Sequence, residues 1–166
     1  MTRDRPGAPP FACDDLDEAT LGYVEAMREP FDRLRQAAGQ IAGVLVLGVT
    51  GGRGVAGHPM LDLADTARRA ADDAVRGTRP PPRGAHHHRH LAEATRLVAA
   101  ALEAARLHLR ADDAATDAIL VPLRAGFREL QWAAAALPGF EVVAFSQGCC
   151  ARHPAPAPAD FGQIAR

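Results

Sequence analysis

Two consecutive segments, residues 86–110 and 111–137, each carry a stripe of apolar side chains at helical spacing, and no other feature constrains the fold as tightly. In the second segment Leu123, Phe127, Leu130, Ala134 and Leu137 follow at intervals of four, three, four and three residues, the period that lines one face of an α-helix. In the first, Leu91, Thr95, Val98, Leu102, Ala105 and Leu109 repeat the pattern with smaller side chains. Such stripes must be buried. Only Arg110 to Asp113 separate the two segments, so the helices are expected to lie antiparallel and bury each other's stripes. Asp112 and Asp113 suit the start of the second helix, where their carboxylates accept from unpaired amide hydrogens. Pro122 implies that this arm either kinks near Ala118 or starts properly at Pro122. Leu137-Pro138-Gly139 ends it.

The remaining chain supplies partners for this hairpin. Asp14, Asp15 and Asp17 precede Leu21, Val24 and Met27, an acidic first turn followed by helical spacing. Pro30 then opens a continuation with Phe31, Leu34, Ala38, Ile41 and Leu45 on one face, which predicts a helix pair or one kinked helix over residues 15–41. A further helix over residues 60–76, begun by Pro59, has Leu63, Ala67, Ala70 and Ala74 as its apolar face. Its charged residues, Asp62, Asp65, Arg68, Arg69, Asp72 and Asp73, read as a solvated surface. Pro80, Pro81 and Pro82 stiffen an extended connector into the hairpin. With hydrophobic residues at 48% but aromatics at only 5%, and alanine abundant, the composition suits closely approaching helices better than a β-sandwich.

The expected fold is all-α, a compact four-helix bundle-like domain over residues 14–150 with an irregular Gly-rich connector after the first helix. At 166 residues one domain is the natural size. Residues 1–13 are expected to form a flexible arm, and residues 151–166 a flexible Pro/Ala-rich tail.

The Gly-rich stretch offers a tempting enzyme motif. Val44 to Leu47 reads as a possible buried strand, and Gly48, Gly52 and Gly54 have the Gly-x-x-x-Gly-x-Gly spacing found in phosphate loops of short-chain dehydrogenases. The context refuses it. A dinucleotide fold needs several parallel strands alternating with helices, and the only other strand-like run is residues 141–145. A helix-to-helix connector is the better reading. Di-iron bundles are disfavoured by the absence of Glu-x-x-His, covalent haem by the absence of Cys-x-x-Cys-His, and hydrolysis by the setting of the lone Ser146.

Two clusters remain with metal-binding chemistry. His86 and His90 stand one helical turn apart, the spacing at which two imidazoles share an ion, with His87 on the same face as Leu91. Near the carboxy terminus Cys149, Cys150 and His153 offer two thiolates and an imidazole to zinc, copper or iron, with Cys13 as a third sulfur if the chain ends meet. The plainer alternatives are solvated histidines and small buried cysteines.

Charge and cysteine usage bound the partners. Nineteen basic against twenty acidic residues leave no excess for a phosphate backbone. No run approaches the roughly 20 apolar residues that cross a bilayer. Three cysteines are an odd number that fits free thiols and the cytoplasm. The sequence therefore points to a non-catalytic cytoplasmic binding or accessory protein. It would act through helical surfaces and terminal arms on a protein partner or another copy of itself, and not on nucleic acid or a membrane. The alternative is a metal-binding or thiol-redox protein built on His86, His90, Cys149, Cys150 and His153.

Overall fold

The computed structural model describes residues 16–50, 55–109 and 116–142. These residues form four α-helices, α1 (Glu18–Val49), α2 (Pro59–Gly77), α3 (Ala85–His108) and α4 (Thr116–Ala136), with short 3-10 turns at Val55–Gly57 and Pro82–Gly84. No strand occurs among the described residues. The fold is an all-α bundle.

The hairpin expected from the paired stripes is its best-packed part, since α3 and α4 share the most extensive interface. Leu91, Thr95, Val98, Leu102 and Ala105 of α3 are buried, as are Leu123, Leu130 and Leu137 of the second stripe. His90 meets Glu129 while Leu97 and Val98 meet Gly126, so residue numbers rise along one helix as they fall along the other. The two helices are antiparallel. Gly126 marks their close approach, because a Cβ there would lie 3.3 Å from both Leu97 Cβ and Val98 Cγ2. Gly126→Leu is expected to wedge the helices apart and cost about 1–3 kcal/mol. Urea titration checks this, and an unchanged midpoint would mean that the seam has slack.

α4 begins at Thr116 and carries Pro122 inside it, which overturns the alternative of a helix starting at Pro122. Ile119 is buried less than one turn before the proline. Its packing holds the first turn on the bundle and offsets the backbone bond that Pro122 cannot donate. Asp112 and Asp113 lie outside the described residues.

α1 is one helix through Pro30, and it runs to Val49 where the sequence predicted an irregular connector or strand from residue 42. The stripe of Phe31, Leu34, Ala38 and Ile41 continues into Val44 and Leu45, all buried. Burial at period 3.6 outweighs the strand preference of the valines. Gly43 packs near the sulfur of Met60 on α2, and Gly48 of the supposed phosphate loop is helical. Gly52 and Gly54 lie outside the described residues. At the other end Asp17 caps the helix, its carboxylate accepting from the Thr20 amide at 2.8 Å.

The inward face of α2 is not the one expected. Leu61, Ala64, Asp65, Ala71 and Val75 are buried, whereas Leu63 is 58% exposed. Asp65, expected in solvent, bonds to three arginines. Arg68 and Arg69 donate to it at 3.0 Å, and Arg106 reaches across from α3 at 3.2 Å. The buried face thus includes a carboxylate because its counter-ions come with it.

The chain leaves α4 through Gly139, whose φ of +96° suits glycine alone without strain. Phe140 is buried with its ring 5.2 Å from that of Phe31. The Glu141 carbonyl accepts from Arg35 at 2.7 Å, which fastens this segment to α1.

Candidate functional site

Four histidines enter the first two turns of α3, and the helical rotation sends them to different environments. His87 points into the core and is fully buried. Its Nδ1 lies 2.8 Å from the Tyr23 hydroxyl, and the Phe140 ring stacks at 4.1 Å. Its Nε2 is buried without a partner. Burial, reinforced by the nearby His88 and His90, holds this imidazole down at about 4. Burial also raises the Tyr23 phenol, so the pair is neutral in ordinary buffers. Gly84 makes room for it, since a Cβ at that position would meet the Tyr23 ring at 2.9 Å. His88, half-buried beside Tyr23, is likewise pushed down by burial.

His86 is exposed, and His90, one turn on, is largely covered beside it. Their Nε2 atoms are 3.1 Å apart, and the His90 Nδ1 lies 2.6 Å from Glu129 Oε2 on α4. The Arg89 guanidinium lies 2.8 Å from the His86 Nδ1. A guanidinium only donates and a carboxylate only accepts, which assigns the tautomers of the whole chain of bonds. Arg89 donates to His86 Nδ1, His86 Nε2–H donates to His90 Nε2, and His90 Nδ1–H donates to Glu129. Glu129 therefore leaves the His90 Nε2 lone pair to face His86.

Trp132 flanks this chain, its ring 5.5 Å from that of His90, and the Arg128 guanidinium lies 5.4 Å from the indole centre. A shallow cavity of about 540 Å³ opens alongside, lined by Arg89, His90, Ala92, Glu93, Arg96 and Glu129. The corner between α3 and α4 thus joins two imidazoles, one carboxylate and an aromatic ring. Its two imidazoles can share an ion or accept a proton, and its ring can anchor a partner.

Of the residues singled out from the sequence, the structure brings together His86 and His90. Cys13, Cys149, Cys150 and His153 lie outside the described residues. His58 serves the backbone, its Nδ1 accepting from the Met60 amide at 3.3 Å to cap α2. Among the described residues no three His, Cys, Asp or Glu side chains meet in a geometry that would hold a metal ion. Sequence reasoning missed Glu129 and Trp132. Their link to the histidines follows from the register of α3 against α4, which pairs residue 90 with residue 129.

No helix of the described residues is long and apolar enough to cross a membrane. Comparison with known proteins finds no matching family model, no matching curated protein and no matching solved structure.

Proposed function

We propose that this chain is a non-catalytic binding protein of the cytoplasm that docks on a protein partner through the outer face of α4. The observation that carries the reading is Trp132, the only tryptophan, which is 46% exposed on a helix that buries Ile119, Leu123 and Leu130. Val121, 66% exposed, and Arg128 fall at seven- and four-residue spacings from each other and Trp132. The three occupy one narrow strip. Tryptophan and arginine dominate binding energy in protein interfaces because a rigid ring and a planar cation bury much area with little ordering cost. A partner surface with an apolar pocket beside a carboxylate fits this strip. The near balance of charge argues against nucleic acid as the ligand.

The test is affinity capture from the native host with wild-type chain and Trp132→Ala as paired baits, followed by titration of the captured protein. Truncating a central anchor is expected to weaken binding about thirtyfold, with the helical circular dichroism signal unchanged. A partner bound equally by both baits would place the interface elsewhere. A strictly monomeric chain that captures nothing would overturn the reading.

A further inference from the structure

We infer that His86 and His90 form a two-imidazole chelate for a divalent late first-row transition-metal ion, with Glu129 as a positioning residue and Arg89 as a competitor. This inference goes beyond partner docking and does not depend on it.

Three observations carry it. The first is distance. Two imidazole nitrogens each about 2.05 Å from one ion lie about 2.9 Å apart at a right angle and about 3.3 Å apart at the tetrahedral angle. The observed 3.1 Å falls between these values. The ring centroids are only 4.5 Å apart, so the two nitrogens meet at an angle, as ligands of one ion do, and not end to end.

The second observation is the carboxylate behind His90. Metal-bound histidines commonly donate their other ring N–H to a carboxylate, which fixes the tautomer, orients the ring and raises its basicity. Glu129 accepts from His90 Nδ1 in this way, from a helix whose packing on α3 fixes its position. Both side chains are largely covered, whereas His86 is exposed, so the site opens on the His86 side.

The third is Arg89. By donating to His86 Nδ1 it leaves the proton of that ring on Nε2, the atom an ion must reach. Binding requires the Nε2 proton to leave and Nδ1 to take one up, which breaks the Arg89 hydrogen bond. Removing the guanidinium also removes a positive charge beside the ion. Arg89 therefore opposes the metal, and its loss should strengthen binding.

Imidazole donors select copper, nickel and zinc over magnesium and calcium, which prefer oxygen. Two protein ligands leave the remaining coordination positions to solvent or to an added ligand.

The test titrates the untagged full-length chain with Cu(II), Ni(II), Zn(II) and Mg(II) in competition with a chromophoric chelator. The same measurements are made in a Cys13→Ser, Cys149→Ser, Cys150→Ser background, which removes the thiolates as ligands. One equivalent of Cu(II), Ni(II) or Zn(II) is expected in both backgrounds, copper tightest, with no response to Mg(II). His86→Ala, a change at an exposed position, should abolish the chelate and weaken binding more than tenfold. Glu129→Gln should weaken it about tenfold and shift the ring-nitrogen resonances of His90 away from the Nδ1–H tautomer while urea stability holds. Arg89→Ala should tighten it. Binding in the cysteine-free background that is unchanged by His86→Ala, or absence of binding there, would overturn the inference. If Arg89→Ala weakens binding, its role as competitor is wrong.

Discussion

Replacing Asp65 with alanine is expected to destabilise the bundle by about 3 kcal/mol. Asp65 is 8% exposed, and its carboxylate lies within hydrogen-bonding reach of three guanidinium groups. Arg68 is itself largely covered, and Arg106 also reaches Asp62 at 3.0 Å, so the cluster ties α2 to α3. Removing Asp65 leaves the covered Arg68 only its longer 3.8 Å pair with Asp72, and leaves Arg106 only the exposed Asp62 to hold α2. Breaking a buried pair costs roughly 3–5 kcal/mol, and the exposure of Arg69 places this case at the lower end. Burial pushes the Asp65 carboxyl upward, but the hydrogen bonds from Arg69, Arg68 and Arg106 outweigh it and hold the group at about 2. A carboxyl below its ordinary value of 3.8 stabilises the fold above that value and loses its contribution as pH falls through 2. Urea unfolding near neutral pH measures the loss, and a double-mutant cycle with Arg106→Met isolates the interhelical part. A loss below about 1 kcal/mol would mean that solvent screens the cluster after all.

Asp65 also shows where the sequence becomes unreadable. The helical hairpin was legible because its two stripes are apolar throughout and share one period. In α2 the inward row runs Leu61, Ala64, Arg68, Ala71, Val75, and the charge at Arg68 disguises it. Leu63 and the alanines at 67, 70 and 74 offer a competing row that looks cleaner, but Leu63 is exposed and the alanines are only partly buried. Beside that row the buried Asp65 takes Arg106 of α3 as a counter-ion, and no local pattern contains that information. The end of α1 failed for the opposite reason. Leu45 belonged visibly to the helical stripe, but the glycines and valines around it have weak helix preference. Packing against α2 decided the matter.

The site divides in the same way. The His86–His90 spacing is a local feature, and the structure keeps both rings on one face. Glu129 is thirty-nine residues from His90 and becomes visible only when the hairpin register is known. His87 was legible as a neighbour of Leu91 on one face, and both are fully buried. Its bond to Tyr23 was not legible, because sixty-four residues separate them.

That buried imidazole gives the second large effect. Stability is expected to fall by roughly 3 kcal/mol as pH drops from about 7 to about 4, through His87. In the unfolded chain the ring takes up a proton near its ordinary 6.5, whereas burial, with His88 and His90 adding to it, delays uptake in the folded chain to about 4. A group lowered by folding stabilises the native state fully above 6.5 and loses that contribution as pH falls through 4. His88 shifts in the same direction and adds to the slope. The Asp65 cluster acts only below 3.8, so the His87 window comes first on acidification. The decisive variant is Tyr23→Phe with His87→Leu, which removes the titrating ring and its hydroxyl partner together. Replacing both partners with apolar groups leaves no stranded donor, and it also removes the His87 Nε2 that has no partner. The double variant should therefore match or exceed the parent at pH 7. Its stability should fall much less than the parent's down to about pH 5, with His88 left to carry the remaining slope. If instead it loses stability as steeply as the parent between about pH 6.5 and 4, another group carries the acid response and the Tyr23–His87 pair is only a packing contact.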